Sequence, residues 1–226
     1  MDAALLLFAK VPRPGHVKTR LTPALSPSEA ARLYTAFLRD TVRQSRQLSA
    51  VDVRLYLAPP LPDGGLDALP SDVSLHKQDG DGLGARMRRA FRDTLEDGYQ
   101  RVVLMGSDHP TLPRSFLQQA YDALDAPESV CIGPTEDGGF YLLGMSAFYP
   151  HLFADMTYSH SEVLSDTLTR GAQTDARLVV LPQWYDVDRP PDLNRMLNDL
   201  KADTAEAPNT RRISDHLDLR SRLPAH

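Results

Sequence analysis

The chain has 226 residues, of which 42% are hydrophobic and 24% charged, and a formal net charge of −5; this is the composition of a single folded globular domain. An acidic chain disfavours nonspecific nucleic-acid binding, and no apolar run approaches the roughly 20 residues that span a bilayer. A lone cysteine, Cys131, excludes an internal disulfide and a cysteine-cluster metal site, and with no signal-peptide pattern at the start we expect a cytoplasmic protein.

The first half of the chain alternates between predicted strands and helices. Apolar runs predict the strands, and Ser26, Pro27 and Glu29 have the pattern of a capping box that begins a long helix. In chain order, the predicted elements are a strand at Ala3–Ala9, a basic loop, a helix to about Leu48, a strand at Val51–Leu57, a surface loop at 59–70, a weaker strand at Val73–His76, a glycine-rich turn and a helix containing Met87–Leu95.

The second half continues the alternation and ends in a polar segment. Only five residues separate Ser129–Pro134 from Phe140–Met145, too few for a crossover helix, so we predict one antiparallel strand in a mostly parallel sheet. The predicted elements are a strand at Arg101–Gly106, a helix from Pro113, strands at Ser129–Pro134 and Phe140–Met145, a helix at Ser161–Arg170, a strand at Arg177–Leu181 and a helix from Pro190 or Pro191.

These elements predict a three-layer α/β/α sandwich with a mixed, mostly parallel sheet. We assign residues 1–202 to this domain and residues 203–226 to a polar C-terminal tail. The tail is expected to be flexible or loosely docked, with a short helix around Ile213–Leu219. Ligands bind such sheets at the carboxyl ends of the strands, and the candidate functional residues are therefore sought there.

A basic loop follows the first strand. It carries Lys10, Arg13, Lys18 and Arg20 around Gly15. Arginine binds phosphate oxygens through its fork of donors and lysine as a mobile point charge, so the loop is suited to a di- or triphosphate. A solvated basic loop without a ligand is the alternative interpretation.

An aspartate, Asp108, directly follows the central strand Arg101–Gly106. A carboxylate at the carboxyl end of a central strand faces the ligand cleft, where it can hold Mg²⁺ or Mn²⁺ against phosphates. The alternative is that Asp108 merely caps a turn before Pro110.

Two glycine-containing loops are further candidates. Gln78 precedes a loop that contains Gly82 and Arg86, and glycines there would allow the backbone to approach a base or ribose closely. The turn at Glu136 and Asp137 carries two acids that could bind a sugar hydroxyl or the acceptor, or act as a base. Neither loop has the ending of a Walker A motif or the spacing of a dinucleotide fingerprint.

The segment after the last strand contains Asp186 and Asp188. In an extended backbone their side chains point to opposite faces, so only one of them readily faces the cleft.

Four motifs in order resemble one family. The sequence is similar to bacterial proteins labelled as glycosyltransferases, sometimes as radical-SAM-associated, within the nucleotide-diphospho-sugar transferase superfamily. It is distantly similar to 2-phospho-L-lactate guanylyltransferase and to molybdenum-cofactor guanylyltransferases. The likeness covers about residues 3–200 and rests on Phe8-Ala9-Lys10-x-Pro-x-Pro-Gly-x-x-Lys18-Thr19-Arg20-Leu21, Gly106-Ser107-Asp108-x-Pro110, Gly133-Pro134-x-x-Asp137-Gly138-Gly139-Phe140-Tyr141-Leu142-x-Gly144 and Asp186-Val187-Asp188.

The resemblance implies a GT-A-like, Rossmann-like fold that binds a nucleotide through its first half, with a divalent metal on the phosphates. By position, Asp108 and Asp188 match the metal carboxylates of these relatives. Lys18 and Arg20 match their phosphate-contacting loop.

The first functional hypothesis is a metal-dependent glycosyltransferase that uses a nucleoside diphosphate sugar. Lys18 and the metal would stabilise the leaving diphosphate, and Asp137 would orient the acceptor or take its proton. The rival is a nucleotidylyltransferase that releases pyrophosphate from a triphosphate, and a third hypothesis is a nucleotide-binding protein without catalysis. The acceptor, a small molecule or a peptide, is not identified by the sequence, and a homodimer is compatible with it.

Overall fold

The computed structural model describes residues 1–60, 73–202 and 206–223, so most of the surface loop predicted at 59–70 lies outside the described residues. The strands are β1 (Ala3–Ala9), β2 (Val51–Leu57), β3 (Ser74–Lys77), β4 (Arg101–Met105), β5 (Ser129–Pro134), β6 (Phe140–Met145) and β7 (Arg177–Val180). The helices are α1 (Pro27–Ser45), α2 (Gly82–Glu96), α3 (Arg114–Ala123), α4 (Val163–Gly171), α5 (Pro190–Asp199), α6 (Pro208–His216) and α7 (Leu219–Arg222).

In the described residues the seven strands form one mixed sheet in the order β3-β2-β1-β4-β6-β5-β7. β6 runs antiparallel to both β4 and β5, and the other neighbouring pairs are parallel. The prediction of one antiparallel strand is confirmed, because the five-residue turn between β5 and β6 allows only a hairpin.

The sheet separates two hydrophobic cores. Every residue of β1 is buried, because this central strand is covered on both faces. Its alternate side chains, Leu5 and Leu7, join one core with apolar residues of α1, α3, α5, α6 and α7. Leu6 and Phe8 join the other core, to which α2 and α4 contribute. The predicted three-layer sandwich is therefore confirmed, and none of the helices in the described ranges is long and apolar enough to cross a membrane.

The start of α1 is fixed by the capping box that the sequence predicts. The Ser26 hydroxyl accepts from the backbone N–H of Glu29 at 3.3 Å, and the Glu29 carboxylate accepts from the Ser26 N–H at 2.8 Å. Two otherwise unpaired donors at the helix N-terminus are satisfied in this way. The boundary matters for function because α1 begins where the basic loop ends.

The described part of the C-terminal segment is closely packed, and the expectation of a loosely docked segment is wrong for residues 206–223. Leu217, Leu219 and Leu223 join the core beneath α1. Asp40 of α1 is 1% exposed, and its carboxylate accepts from the Thr210 N–H at 2.6 Å and from both nitrogens of Asn209. A buried carboxylate thus caps α6 from another helix. The division of the chain at residue 202 stays a prediction.

Replacement of Asp40 tests this cap. We expect Asp40→Ala to lower the free energy of unfolding by about 3 kcal/mol, because a buried charge-assisted set of hydrogen bonds is lost and backbone donors are left unpaired. Urea unfolding measures the change. The exposed Asp215 on α6 supplies the control, since Asp215→Ala should change stability by no more than about 0.5 kcal/mol. Equal losses for the two variants would contradict the assignment.

Candidate functional site

Three chain segments meet at the carboxyl edge of the sheet. The basic loop leaves β1, Asp108 follows the adjacent strand β4, and the segment after β7 returns across the sheet edge to β4. The backbone N–H of Val187 donates to the Asp108 carbonyl at 2.9 Å. The topology therefore brings together the basic loop, Asp108 and the Asp186–Asp188 segment, as the position of ligand sites in open α/β sheets predicts.

Lys18 joins these three segments through one buried ammonium group. Its Nζ lies 2.7 Å from Asp108 Oδ1 and donates to the Val187 carbonyl at 2.7 Å. The Lys18 side chain is only 3% exposed, and the rings of Tyr34 and Phe37 lie within 6 Å of Nζ. Lys18 also has a φ of 48°, a conformation that is uncommon outside glycine. A buried ammonium needs such partners, so Lys18 fixes the relative positions of the loop ends.

Asp108 carries an ionised carboxylate at the carboxyl edge of the sheet. Burial opposes ionisation, but the attraction and hydrogen bond of Lys18 outweigh it, so the pKa of Asp108 lies below its ordinary value. The side chain is still 44% exposed. Asp108 therefore has one oxygen held by Lys18 and open surface on which a ligand can bind.

Asp186 and Asp188 have different partners, as expected for alternate residues of an extended segment. Asp186 Oδ1 lies 2.9 Å from Nδ1 of the buried His109, and Asp186 also lines a pocket described below. Asp188 Oδ2 accepts from Arg20 at 2.7 Å. Burial lowers the pKa of His109, but the hydrogen bond and charge of Asp186 raise it more, and the pKa lies above the ordinary value.

A cationic pocket of about 350 Å³ lies on one side of the basic loop. Its charged lining is Lys10, Arg13 and Arg86, with His16 beside them. Arg86 lies near the start of α2, and its guanidinium donates to the Gly80 carbonyl at 3.1 Å. The cationic pocket has no carboxylate in its lining within the described residues, which makes it suited to an anion.

A second pocket, of about 410 Å³, lies on the other side of the loop, and we call it the carboxylate pocket. Its lining includes two carboxylates, one cation, five hydroxyl- or imidazole-bearing side chains and apolar surface, namely Asp137, Asp186, Arg20, Thr135, Tyr158, Ser159, His160, Ser161, Leu83, Phe140 and Val163. Asp137 Oδ1 accepts from the Thr135 hydroxyl at 2.6 Å and from the Gly139 N–H at 3.1 Å. These bonds fix the orientation of the Asp137 carboxylate.

Gly138 is required at the edge of the carboxylate pocket. Its φ is +87°, and a Cβ at this position would overlap the backbone carbonyl of Ser161. The Gly138 carbonyl accepts from the Leu164 N–H at 2.9 Å. The β5–β6 turn can therefore lie directly against the start of α4, and this contact closes one wall of the pocket.

The structure separates the residues that the sequence proposed into groups. Lys10, Arg13 and Arg86 line the cationic pocket, whereas Arg20 and Asp137 line the carboxylate pocket. Gln78 is buried, and its side-chain nitrogen donates to the carbonyls of Ala9 and Tyr56. These bonds tie the ends of β1 and β2 together. The binding and catalytic roles of all proposed residues, including the backbone roles of Gly15 and Gly82, stay predictions.

Sequence reasoning assigned no role in the site to His109 or Tyr158, whereas Asp186 was one of the two aspartates of which one was expected to face the cleft. The position of His109 beside Asp108 was the available signal, because consecutive loop residues at a strand end share one neighbourhood. Tyr158 had no signal, since its ring reaches the pocket only because Gly84 of α2 has no Cβ to obstruct it.

No group of three or more His, Cys, Asp or Glu side chains with metal-ligand geometry occurs within residues 1–60, 73–202 and 206–223. Mg²⁺ in phosphate-transfer sites commonly uses only one or two carboxylates, with phosphates and waters as its other ligands. The carboxylate of Asp108 and those of the 186–188 segment are compatible with that smaller set.

Comparison with known proteins gives the family. Residues 41–160 match the family described as "Uncharacterized protein conserved in bacteria (DUF2064)". A crystal structure of a "putative nucleotide-diphospho-sugar transferase" from Desulfovibrio desulfuricans G20 is 32% identical, with 99% of each chain covered and a TM-score of 0.89.

The chain belongs to the DUF2064 family. No curated protein matches it. Two further solved structures share the fold of this chain at lower sequence identity. Rv0371c from Mycobacterium tuberculosis H37Rv, in a complex with manganese, is 21% identical over 88% of this chain and 98% of its own, with a TM-score of 0.50. CMP:2-keto-3-deoxy-manno-octonic acid synthetase complexed with CTP is 11% identical over 89% and 99%, with a TM-score of 0.53.

These likenesses confirm the predicted nucleotide-diphospho-sugar transferase fold. The radical-SAM association is not tested by them and stays a prediction.

The contact between His109 and Asp186 gives a prediction about pH. In Asp186→Asn, the pKa of His109 should fall, because burial is then opposed by fewer favourable interactions. Because the pKa of His109 is higher in the folded protein than in the unfolded chain, protonation of His109 stabilises the folded state. This stabilisation is complete below the unfolded-state pKa and is lost as the pH rises through the folded-state pKa. Titration of the His109 ring signals by NMR measures the shift.

Asp188→Asn is the matched control, because Asp188 pairs with Arg20. It should leave the pKa of His109 unchanged. A His109 pKa that is the same in wild type and Asp186→Asn would contradict the assigned ion pair.

Proposed function

We propose that this protein is a metal-dependent transferase that uses a nucleoside diphosphate sugar as its donor. The observation that carries the proposal is that the basic loop lines two pockets, one whose charged side chains within the described residues are only cationic and one with two carboxylates. The basic loop supplies Lys10 and Arg13 to the cationic pocket and Arg20 to the carboxylate pocket. The N-terminal part of α2 also lines both, through Arg86 and Leu83 respectively. A nucleotide sugar has the same two parts, an anionic diphosphate and a neutral sugar.

The cationic pocket supports binding of the nucleotide and its phosphates. Lys10 and Arg13 are exposed and contribute donors that match phosphate oxygens. The N-terminus of α2, which begins at Gly82, adds backbone donors and the positive end of a helix dipole. The proximity of these groups favours a diphosphate placed between the basic loop and α2.

The carboxylate pocket supports binding of the sugar and the acceptor. Carboxylates such as Asp137 and Asp186 accept hydrogen bonds from hydroxyls, and the apolar surfaces of Phe140 and Tyr158 can pack against the C–H face of a sugar ring. Asp137 is held by Thr135 and Gly139, so it is positioned to orient an acceptor hydroxyl or to accept its proton.

The carboxylates where the end of β4 meets the 186–188 segment fit a divalent cation. Asp108 is ionised and partly open, and Asp186 and Asp188 lie on the segment whose backbone is bonded to Asp108. The chemistry supplied by a bound Mg²⁺ or Mn²⁺ is neutralisation of the charge that builds on the leaving diphosphate. The manganese complex of Rv0371c, which shares the fold, is compatible with this choice.

Lys18 acts through Asp108 in this proposal. Its ammonium is enclosed by Asp108, Val187 and two aromatic rings, so it holds the Asp108 carboxylate in place and keeps it ionised. In this proposal the phosphates are bound by the cations of the cationic pocket, and direct phosphate contact by Lys18 stays a prediction from the sequence.

Nucleotidyl transfer is the second candidate. The specific observation in its favour is the cationic pocket, whose three arginine and lysine side chains suit a triphosphate as well as a diphosphate. The CTP complex with the same fold is also compatible with it. In that reaction an acceptor phosphate would attack the α-phosphate, and pyrophosphate would leave.

Ligand-dependent stabilisation and product release test the proposal together. Thermal unfolding is measured with UDP-, GDP-, ADP- and CDP-sugars and with the four triphosphates, each with Mn²⁺ and with EDTA. One nucleotide sugar at a hundred times its dissociation constant should stabilise the protein by about 2.7 kcal/mol in Mn²⁺. Slow release of nucleoside diphosphate from that sugar nucleotide should follow, and Asp108→Asn should reduce it by roughly 10²- to 10³-fold.

Asp122→Asn serves as the control, because Asp122 is an exposed aspartate of α3 at a distance from both pockets. Stabilisation by a triphosphate alone, with release of pyrophosphate, would transfer the assignment to the second candidate. Absence of stabilisation by every nucleotide tested would contradict both.

A further inference from the structure

A groove between α1 and α6 is not used by the proposed transferase reaction. The α1–α6 groove, of about 330 Å³, is lined by Arg32 and Arg39 of α1 and by Arg212 and His216 of α6, with Ala36 and Ile213 between them. No carboxylate lines this groove in the described part of the chain. In a protein with a net charge of −5, such a concentration of cationic side chains is a distinct local feature.

Helical spacing explains why these side chains face one another. Arg32 and Arg39 are seven residues apart, which places them on the same face of α1 about 10.5 Å apart along the helix. Arg212 and His216 are four residues apart and form neighbours on α6. The two pairs therefore border a single groove from both sides.

A buried anchor orients one side of the groove. Asp40 Oδ1 accepts from the side-chain nitrogen of Asn209 at 2.7 Å, which turns the Asn209 oxygen toward Arg212. That oxygen accepts from Arg212 Nη2 at 3.0 Å. Asp40 itself is 1% exposed, so the Asn209 side chain that Arg212 contacts is held by a buried partner.

The charge and size of the groove indicate its ligand. Arg32 and Arg212 border the groove from its two helices, and an anion placed between them would be attracted by both guanidinium groups. Arginine forks bind phosphate oxygens through paired hydrogen bonds. A volume near the lower end of small-ligand sites favours a small anion over an extended acidic peptide.

We propose that the α1–α6 groove is a second anion site, which binds a small molecule that carries a phosphate group. The groove shares no lining residue with the cationic pocket or the carboxylate pocket. It is therefore independent of the transferase proposal.

Pyrophosphate is the probe, and the full chain is used in metal-free buffer at constant ionic strength. Because pyrophosphate would also bind the cationic pocket, the test uses the Arg13→Gln/Arg86→Gln background. Calorimetry should still detect binding in that background, and the NMR signals of the Arg32 and Arg212 side-chain N–H groups should shift. Addition of Arg212→Gln should weaken binding by about tenfold or more, the loss expected when a charge-assisted hydrogen bond is removed.

Arg211→Gln, next to Arg212 but outside the groove lining, is the matched control and should leave the affinity within about twofold. Thermal unfolding of each variant verifies that the fold is intact. Equal effects of the two substitutions, or no binding of pyrophosphate at millimolar concentration, would overturn the proposal. Binding of an oligo-aspartate peptide in place of pyrophosphate would also overturn it, in favour of an acidic protein partner.

Discussion

The arrangement of the site depends on the buried ammonium of Lys18. A charge enclosed by protein is costly unless it is paired and hydrogen-bonded, and Lys18 has both Asp108 and the Val187 carbonyl as partners. These partners come from segments that are far apart in the sequence but meet at the sheet edge. The requirement to satisfy one cation thereby fixes the basic loop, the end of β4 and the segment after β7 against one another.

The separation of charge around this junction follows from the same geometry. With Lys18 turned inward to Asp108, the exposed cations Lys10 and Arg13 remain on the side toward α2. The carboxylates Asp137 and Asp186 line the other side. A donor with a charged half and a neutral half can then be oriented by electrostatics before any chemistry occurs. The division into two pockets, more than any single residue, supports a nucleotide sugar as the donor.

Regular elements were predictable from the sequence because local signals specify them. The bounds of β1, β2, β5 and β6 agree with the prediction, and the Ser26–Glu29 capping box forms as its pattern indicates. The turn between β5 and β6 is too short for a crossover helix, and this predicted that β6 is antiparallel. All of these features depend on residues that are close together in the chain.

Features that depend on long-range partners were not predictable in the same way. The inward turn of Lys18 requires a left-handed backbone conformation and a carboxylate 90 positions away along the chain. The C-terminal segment has a polar composition, yet Leu217 and Leu219 are buried because Asp40 holds α6 against α1. The sequence showed which residues carry charge, but the three-dimensional arrangement decides which charges neutralise one another and which face a ligand.

The most direct test of the two-pocket account compares two ligands and two variants. Calorimetry measures the binding of a nucleoside diphosphate and of the corresponding nucleotide sugar to wild type, Arg13→Gln and Asp137→Asn. Arg13→Gln should weaken both ligands by about tenfold, as expected for loss of a charge-assisted contact to phosphate. Asp137→Asn should weaken the nucleotide sugar and leave the diphosphate unchanged. Equal weakening of both ligands by Asp137→Asn, or no effect of Arg13→Gln on either, would contradict the account.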